Sequence, residues 1–338
     1  MTTEETKILR YLSDKLGNGG SIRSMSEGIS KKYGPSYYPN IYHTIMKMEE
    51  KGIISIAAEG KNRMVRLNTG NPTSIYHISA AENQKATEIN TPSEIIDRLL
   101  ELASNACIIS ICMMKQKEYS EINRIELLLI PRLHVEDCSI INAILKIESM
   151  YNIKIDPMIL APGELSDMLG ASELNHVREL IADRVVLYNS EGFWETIRKY
   201  HIDERYKYLE KFPEELDRAE LAHNYNRFGY ALYESASSRV DIAPEATIFS
   251  MSKSGEARVR YGAFVLLCKN IRKVNMPYMY YLFKRHERLG ELKGMLKSVR
   301  EYCEKEDRPR VDALIGIIPN RQKAYDKDLI KKYITQYS

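Results

Sequence analysis

Residues 36–67 read Ser36-Tyr37-Tyr38-Pro39-Asn40-Ile41-Tyr42-His43-Thr44-Ile45-Met46-Lys47-Met48-Glu49-Glu50-Lys51-Gly52-Ile53-Ile54-Ser55-Ile56-Ala57-Ala58-Glu59-Gly60-Lys61-Asn62-Arg63-Met64-Val65-Arg66-Leu67. Ile41, Ile45 and Met48 recur at helical spacing, which predicts a helix with that side buried and Asn40, His43 and Lys47 on another. Gly52 is the stop signal, since a glycine accepts the left-handed backbone that closes a helix. The β-rich Ile53-Ile54-Ser55-Ile56, the turn Glu59-Gly60-Lys61-Asn62 and the run Arg63–Leu67 then predict a two-stranded hairpin with a basic tip.

Upstream, Ile8, Leu9, Leu12 and Leu16 give an apolar stripe to a helix at about 4–16, broken by Gly17-Asn18-Gly19-Gly20. Met25, Ile29 and Tyr33 predict a second helix at about 24–33, ending at Gly34-Pro35. Three short helices and a hairpin within residues 1–70 resemble a winged helix-turn-helix. The ending Met48-Glu49-Glu50-Lys51-Gly52-Ile53-Ile54 is similar to that of repressors of the MarR, ArsR and PadR kind. The resemblance implies a transcriptional regulator that binds double-stranded DNA. By position, Tyr38, Asn40, Tyr42, His43 and Lys47 would face the major groove. Lys61, Asn62 and Arg63 at the wing tip would meet phosphate or the minor groove. A winged helix also serves as a protein-binding module, so an interaction scaffold is an alternative reading.

The 338 residues exceed one ordinary domain of roughly 100–200 residues, which predicts two or three modules. Charge divides the chain in the same way. Residues 1–70 carry 11 Lys+Arg against 7 Asp+Glu, residues 71–203 carry 12 against 20, and residues 204–338 carry 26 against 19. An acidic middle between basic ends means that only some modules suit a polyanion. No apolar run approaches the roughly 20 residues of a membrane span. Cys107, Cys112, Cys138, Cys268 and Cys303 are scattered, odd in number and without CxxC spacing. That pattern fits neither a zinc site nor a disulfide framework, and a reducing cytoplasm is the expected location.

In the middle module Thr69-Gly70-Asn71-Pro72 reads as a linker and about 91–104 as a helix. Strands are predicted at 107–112, 125–130, 153–160 and 184–188, with helices at about 139–150 and 163–181 and another opening at Gly192-Phe193-Trp194-Glu195. This order, and the phrase Val186-Leu187-Tyr188-Asn189-Ser190-Glu191-Gly192-Phe193-Trp194, resemble a minimal nucleotidyltransferase domain of the polymerase-β superfamily. The resemblance implies a Gly-Ser turn after the first strand, Asp-x-Asp on the second and a third carboxylate on a later one. These would hold two magnesium ions against a nucleoside triphosphate. Here Met113-Met114 stands at the turn and Arg124-Ile125-Glu126 at Asp-x-Asp, so a fixed cation replaces a metal ligand. Only Glu126 and Asp156 remain. A catalytically inactive domain used for ligand sensing or assembly is the expectation, with no catalytic residue, cofactor or metal assigned. An active enzyme that transfers a nucleotide through Glu126 and Asp156 is the alternative.

From about residue 204 the pattern is helical, with helices expected at about 213–236, 275–289, 290–305 and 320–336, and another opened by Ser254-Gly255-Glu256. Pro309 and Pro319 are expected in connections. Tyr278-Met279-Tyr280-Tyr281-Leu282-Phe283-Lys284-Arg285-His286-Glu287-Arg288 interleaves rings with cations, and its spacing predicts a core face and a wet basic face. Around His286 the arginine is adjacent, not a helical turn or more before the histidine as in the helical ribonuclease toxins that accompany nucleotidyltransferases. The chain as a whole is therefore expected to be an α+β multidomain protein: a winged helix at 1–70, a degenerate nucleotidyltransferase-like domain at 71–203 and a basic helical bundle at 204–338. Its expected partners are duplex DNA, a second copy of itself and a nucleotide ligand.

Overall fold

The computed structural model describes residues 2–60, 62–89, 91–105, 107–114, 124–132, 137–171, 173, 175–182, 184–198, 218–230, 240–319 and 325–337. The chain divides into two compact units. The first comprises Met1–Ser120 with Leu180–Lys207, and the second Glu121–Glu179 with Tyr208–Ser338. Both mix helix with strand.

The first unit opens with α1 (Thr3–Asp14), β1 (Asn18–Ser21), α2 (Ile22–Tyr33), α3 (Tyr38–Glu50), β2 (Ile54–Glu59) and β3 (Asn62–Leu67). Thr2 caps α1: its hydroxyl accepts from the Glu5 N–H at 3.2 Å, and the Glu5 carboxylate accepts from the Thr2 N–H at 2.9 Å. The three strands form an antiparallel sheet in the order β1-β3-β2. Register runs from Ile54↔Leu67 to Glu59↔Asn62, and Gly60, just past β2, has φ +60°. Ile8, Leu12, Met25, Ile29, Ile41, Ile45, Met48 and Val65 are fully buried and form one core between the helices and the sheet. Gly52, at φ +67°, turns the chain out of α3 as anticipated.

The segment 69–72 is not a linker. Pro72 lies in the first turn of α4 (Pro72–Ala86), and Asn71 caps it by accepting from the Thr73 N–H at 3.0 Å. The amides of Asn68 and Asn71 both donate to the Gly52 carbonyl, at 3.0 and 2.9 Å, which ties the start of α4 to the end of α3. Helix α4 escapes the sequence pattern because its buried set mixes Ser74, Ser79, Glu82 and Lys85 with Ile75, Ile78 and Ala81, and so shows no apolar stripe.

The chain continues through α5 (Ser93–Asn105), β4 (Ile108–Met114), β5 (Arg124–Pro131), α6 (Asp137–Tyr151), β6 (Lys154–Ile159), α7 (Pro162–Gly170), α8 (His176–Ala182), β7 (Arg184–Tyr188) and α9 (Ser190–Arg198). In the first unit β4 pairs antiparallel with β7, from Ile111↔Tyr188 to Met114↔Arg184. In the second unit β5 pairs parallel with β6, from Arg124↔Lys154 to Leu129↔Ile159. The single helix expected at 163–181 is two, because Ala171 leaves α7 in an extended conformation.

The rest of the second unit is helical among the described residues: α10 (Arg218–Arg227), α11 (Pro244–Ser252), α12 (Ala257–Asn270), α13 (Met276–Arg285), α14 (Leu289–Val299), α15 (Arg308–Ile317) and α16 (Lys327–Tyr337). The helix expected to run to 236 stops at Arg227. Gly229 takes φ +88°, and the Tyr230 N–H turns back to the Tyr225 carbonyl at 2.9 Å. Pro309 opens α15 and is not in a connection, as suits a residue with no N–H to leave unpaired. Helix α11 was not anticipated, since it is buried nearly all round, from Glu245 to Ser252.

Candidate functional site

Pro39 lies in the first turn of α3, where its fixed φ helps to start the helix. With Ile41, Ile45 and Met48 turned inward, Tyr38, Asn40, His43 and Lys47 are all exposed, and Tyr42 is half-buried at the edge. Among the described residues neither His43 nor Lys47 has an ion-pair partner. The hairpin approaches this face from the side: Arg63 Nη1 donates to the Tyr42 hydroxyl at 3.2 Å. Tyr42 also stands 6.2 Å, ring to ring, from both Tyr38 and His43. Asn62 is exposed at the start of β3, and Lys61 lies outside the described residues. Arg66 pairs with Glu59 at 2.5 Å across the hairpin, which removes it from the free positive charge. The sequence-predicted residues other than Lys61 therefore fall on one helix face and one hairpin edge of the same unit. Sequence reasoning passed over Tyr37, which at 78 % is the most exposed large apolar side chain among the described residues, next to Tyr38 at 47 %. Its signal was a tyrosine pair ahead of Pro39 that fits no apolar stripe.

An ionic set centred on the buried Glu82 and Arg184 ties α1, α2, α4 and β7 of the same unit together. Glu82 of α4 is fully buried and receives Arg184 of β7 and the Ser13 hydroxyl, the latter at 2.6 Å. Arg184 also donates to the Ile181 carbonyl at 2.7 Å and stacks over Phe193 and Trp194, at 4.5 and 5.3 Å. Lys85 donates to Ser13 and pairs with Asp14 at 2.6 Å. Asp14 in turn holds Lys32 at 2.5 Å and the Tyr33 hydroxyl, at the end of α2 just ahead of α3. Burial alone would raise the Asp14 carboxyl, but Lys85, Lys32 and Tyr33 outweigh it and bring it down to about 2. Burial and the Asp14 charge push the Tyr33 phenol the other way, upward. None of these contacts is legible from spacing.

In the second unit, the parallel register places Glu126 directly opposite Asp156 and Arg124 opposite Lys154. Asp156 is buried and pairs with Arg124 Nε at 2.5 Å, and the same guanidinium donates to the Arg285 carbonyl. Glu126 accepts from the Tyr281 hydroxyl at 2.7 Å and lies 3.6 Å from Arg285 Nε. Burial raises the Asp156 carboxyl even though Arg124 opposes the rise. Burial likewise raises the Tyr281 phenol, and Glu126 adds to it. Both carboxylates thus already face a guanidinium, and a divalent ion would have to displace those cations. Among the described residues no three His, Cys, Asp or Glu side chains gather closely enough to hold a metal ion. The residues present do not fit a two-magnesium centre. Position 113–114, where a Gly-Ser turn would be needed, is the end of β4, with Met113 buried.

The basic face expected on 278–288 is largely folded inward. Tyr278–Phe283 are buried, Lys284 pairs with Glu148 at 3.0 Å, and Arg285 turns to Glu126. The arginine-to-histidine spacing missing around His286 does occur at Arg218 and His223 of α10. There His223 Nε2 stands 2.8 Å from Asp241, which Arg227 also contacts at 3.1 Å. Comparison with protein-family models, with curated proteins and with solved structures gives no match to this chain. Among the described residues no helix is long and apolar enough to cross a membrane.

Proposed function

We propose that the chain is a duplex-DNA-binding protein, a transcriptional regulator, in which α1–α3 and β1–β3 form a winged helix. In this reading α3 enters the major groove, with Asn40 and His43 at base edges and Lys47 at phosphate. The β2–β3 hairpin is the wing, with Asn62 and Arg63 against the backbone or the minor groove. One observation carries the reading. Asn40, His43 and Lys47 share the exposed face of a helix whose other face is fully buried, and the hairpin is fixed beside that face through Arg63 and Tyr42. The order helix-strand-helix-helix-strand-strand, with the sheet order β1-β3-β2, supports it. Residues 71–203 are read as a degenerate nucleotidyltransferase-like domain used for assembly or ligand sensing, and residues 204–338 as a helical domain. Two copies of the chain would read half-sites about one helical turn of DNA apart.

Selection of bound duplexes from a random pool at moderate salt, followed by anisotropy titrations, tests this. Affinity should fall steeply with salt, because each phosphate contact releases counterions, with a log–log slope of about −0.9 per contact. Absent or salt-insensitive duplex binding would overturn it.

A further inference from the structure

The second unit contains a cavity of about 310 Å³ that neither the α3 face nor the strand-end pairs use. Small-molecule sites begin at roughly this size, about 300 Å³. The end of α7, Glu173, Asn175, the first turn of α11, the 272–275 connection and Arg310 of α15 line it.

The polar groups around it are unevenly satisfied. Asn175 is 1 % exposed, and its Nδ2 donates to the carbonyls of Met168 and Glu173, at 2.9 and 3.2 Å. Its Oδ1 is buried with no hydrogen-bond partner among the described residues, and a buried acceptor left so costs about 1–3 kcal/mol. Glu245, also buried, accepts from the Asn275 N–H. Of the three cations in the lining, Lys273 is exposed and the two arginines are committed elsewhere. Arg310 donates to the carbonyls of Ile271, Arg272 and Val274 at 3.3, 3.4 and 2.7 Å, and Arg272 pairs with Asp307 at 3.1 Å. The helix ends that could attract an anion are answered by the chain itself. Asn275 Oδ1 accepts from the Tyr278 N–H at 2.8 Å, and the Glu245 carboxylate sits at the start of α11. The carbonyl end of α7 also opens here and favours positive charge. The two buried acceptors of the lining, Asn175 Oδ1 and the Glu245 carboxylate, are therefore met by no cation among the described residues, since Glu173 is held by Arg227 and Lys273 is exposed.

We propose that this cavity binds a small organic amine, whose N–H groups satisfy Asn175 Oδ1 and whose charge is met by the Glu245 carboxylate, with the exposed Asp167 on the same lining. Burial pushes the Glu245 carboxyl up to about 7, with Glu173 adding to the rise and Arg310 opposing it. An ammonium is the partner that returns such a group to its charged form. A metal ion fits less well, because it needs a tight shell of several ligands. No such group occurs among the described residues.

Calorimetry on the full chain, without DNA, separates this inference from the DNA-binding reading. Putrescine and spermidine should each titrate a single saturable site, and Glu245→Gln should weaken it at least about tenfold. Lys273→Glu, an exposed change at the opening that leaves the core untouched, should tighten it about threefold. Melting curves confirm that Glu245→Gln is folded; if it is not, Lys273→Glu alone decides. Tetramethylammonium, charged but without N–H donors, should not compete. The proposal fails if neither amine binds at millimolar concentration, or if inorganic phosphate binds in their place. It also fails if magnesium or tetramethylammonium displaces the amine at equal concentration, or if Lys273→Glu weakens binding or leaves it unchanged.

Discussion

On α3, His43 and Lys47 stand exposed without ion-pair partners among the described residues. At the ends of β5 and β6, by contrast, Arg124 is bound to Asp156, and Glu126 is held between Tyr281 and Arg285. Both regions carry cations and hydrogen-bonding groups at positions that a family resemblance marks as functional. What separates them is whether the chain supplies the partner. A charge whose partner is built in has its geometry fixed and its field largely cancelled. A charge left facing solvent keeps its field for a ligand. Ligand binding is therefore expected at the first region and structural support at the second.

Breaking the buried Arg184–Glu82 pair of the same unit gives the largest expected effect. Arg184→Met leaves Glu82 fully buried with its main cation removed, and losing one partner of a buried pair costs about 3–5 kcal/mol. Urea titration should show the midpoint fall by that amount, with duplex binding lost at denaturant concentrations that the parent tolerates. Unchanged stability would mean that Lys85 and Ser13 alone hold Glu82. Next comes acid. Asp14 sits at about 2 in the folded chain, against about 3.9 when unfolded. A depressed carboxyl contributes stability above its unfolded value and loses it as the pH falls, so about 2 kcal/mol should drain away between about pH 4 and pH 2. Asp14→Asn should flatten that part of the curve, and an equally steep loss in this variant would place the acid sensitivity elsewhere.

The visible half of this contrast was legible in sequence, and the hidden half was not. Ile41, Ile45 and Met48 at helical spacing, followed by Gly52, define α3 and its wet face because local periodicity reports a single buried side. Glu82, Lys85 and Arg184 could not be placed, because burying polar residues by mutual pairing erases the apolar stripe that marks a buried helix. The strand ends were half legible. The resemblance to a nucleotidyltransferase domain singled out Glu126 and Asp156 and marked Arg124 as a misplaced cation, but no local pattern brings Tyr281 and Arg285 to them from far along the chain. The same long-range pairing explains why Lys284 and Arg285 looked like a wet basic face and are instead folded against Glu148 and Glu126.

A matched pair of substitutions sharpens the comparison. Asp156→Asn weakens the pair with Arg124, whose guanidinium is partly exposed, and should cost about 1–2 kcal/mol of stability. Duplex affinity should be the parent's, since the change lies in the other unit. Asn40→Ala touches nothing buried and should leave the melting temperature within experimental error. It should still lower affinity for the selected duplex about tenfold and flatten the preference at one base position. If the two variants exchange these signatures, the assignment of binding to one region and support to the other is wrong.

The smallest effect is the most discriminating. Lys47 is exposed and has no ion-pair partner among the described residues, so Lys47→Ala removes one mobile charge and leaves packing intact. If that charge sits against phosphate, the log–log salt slope should become shallower by about one, with all duplex sequences weakened alike. A Lys47 that instead served a base edge would change preference and leave the slope nearly as it was. A Lys47 that served a protein partner would change neither. The slope, not the affinity, therefore decides whether the unpartnered charge on α3 meets a polyanion.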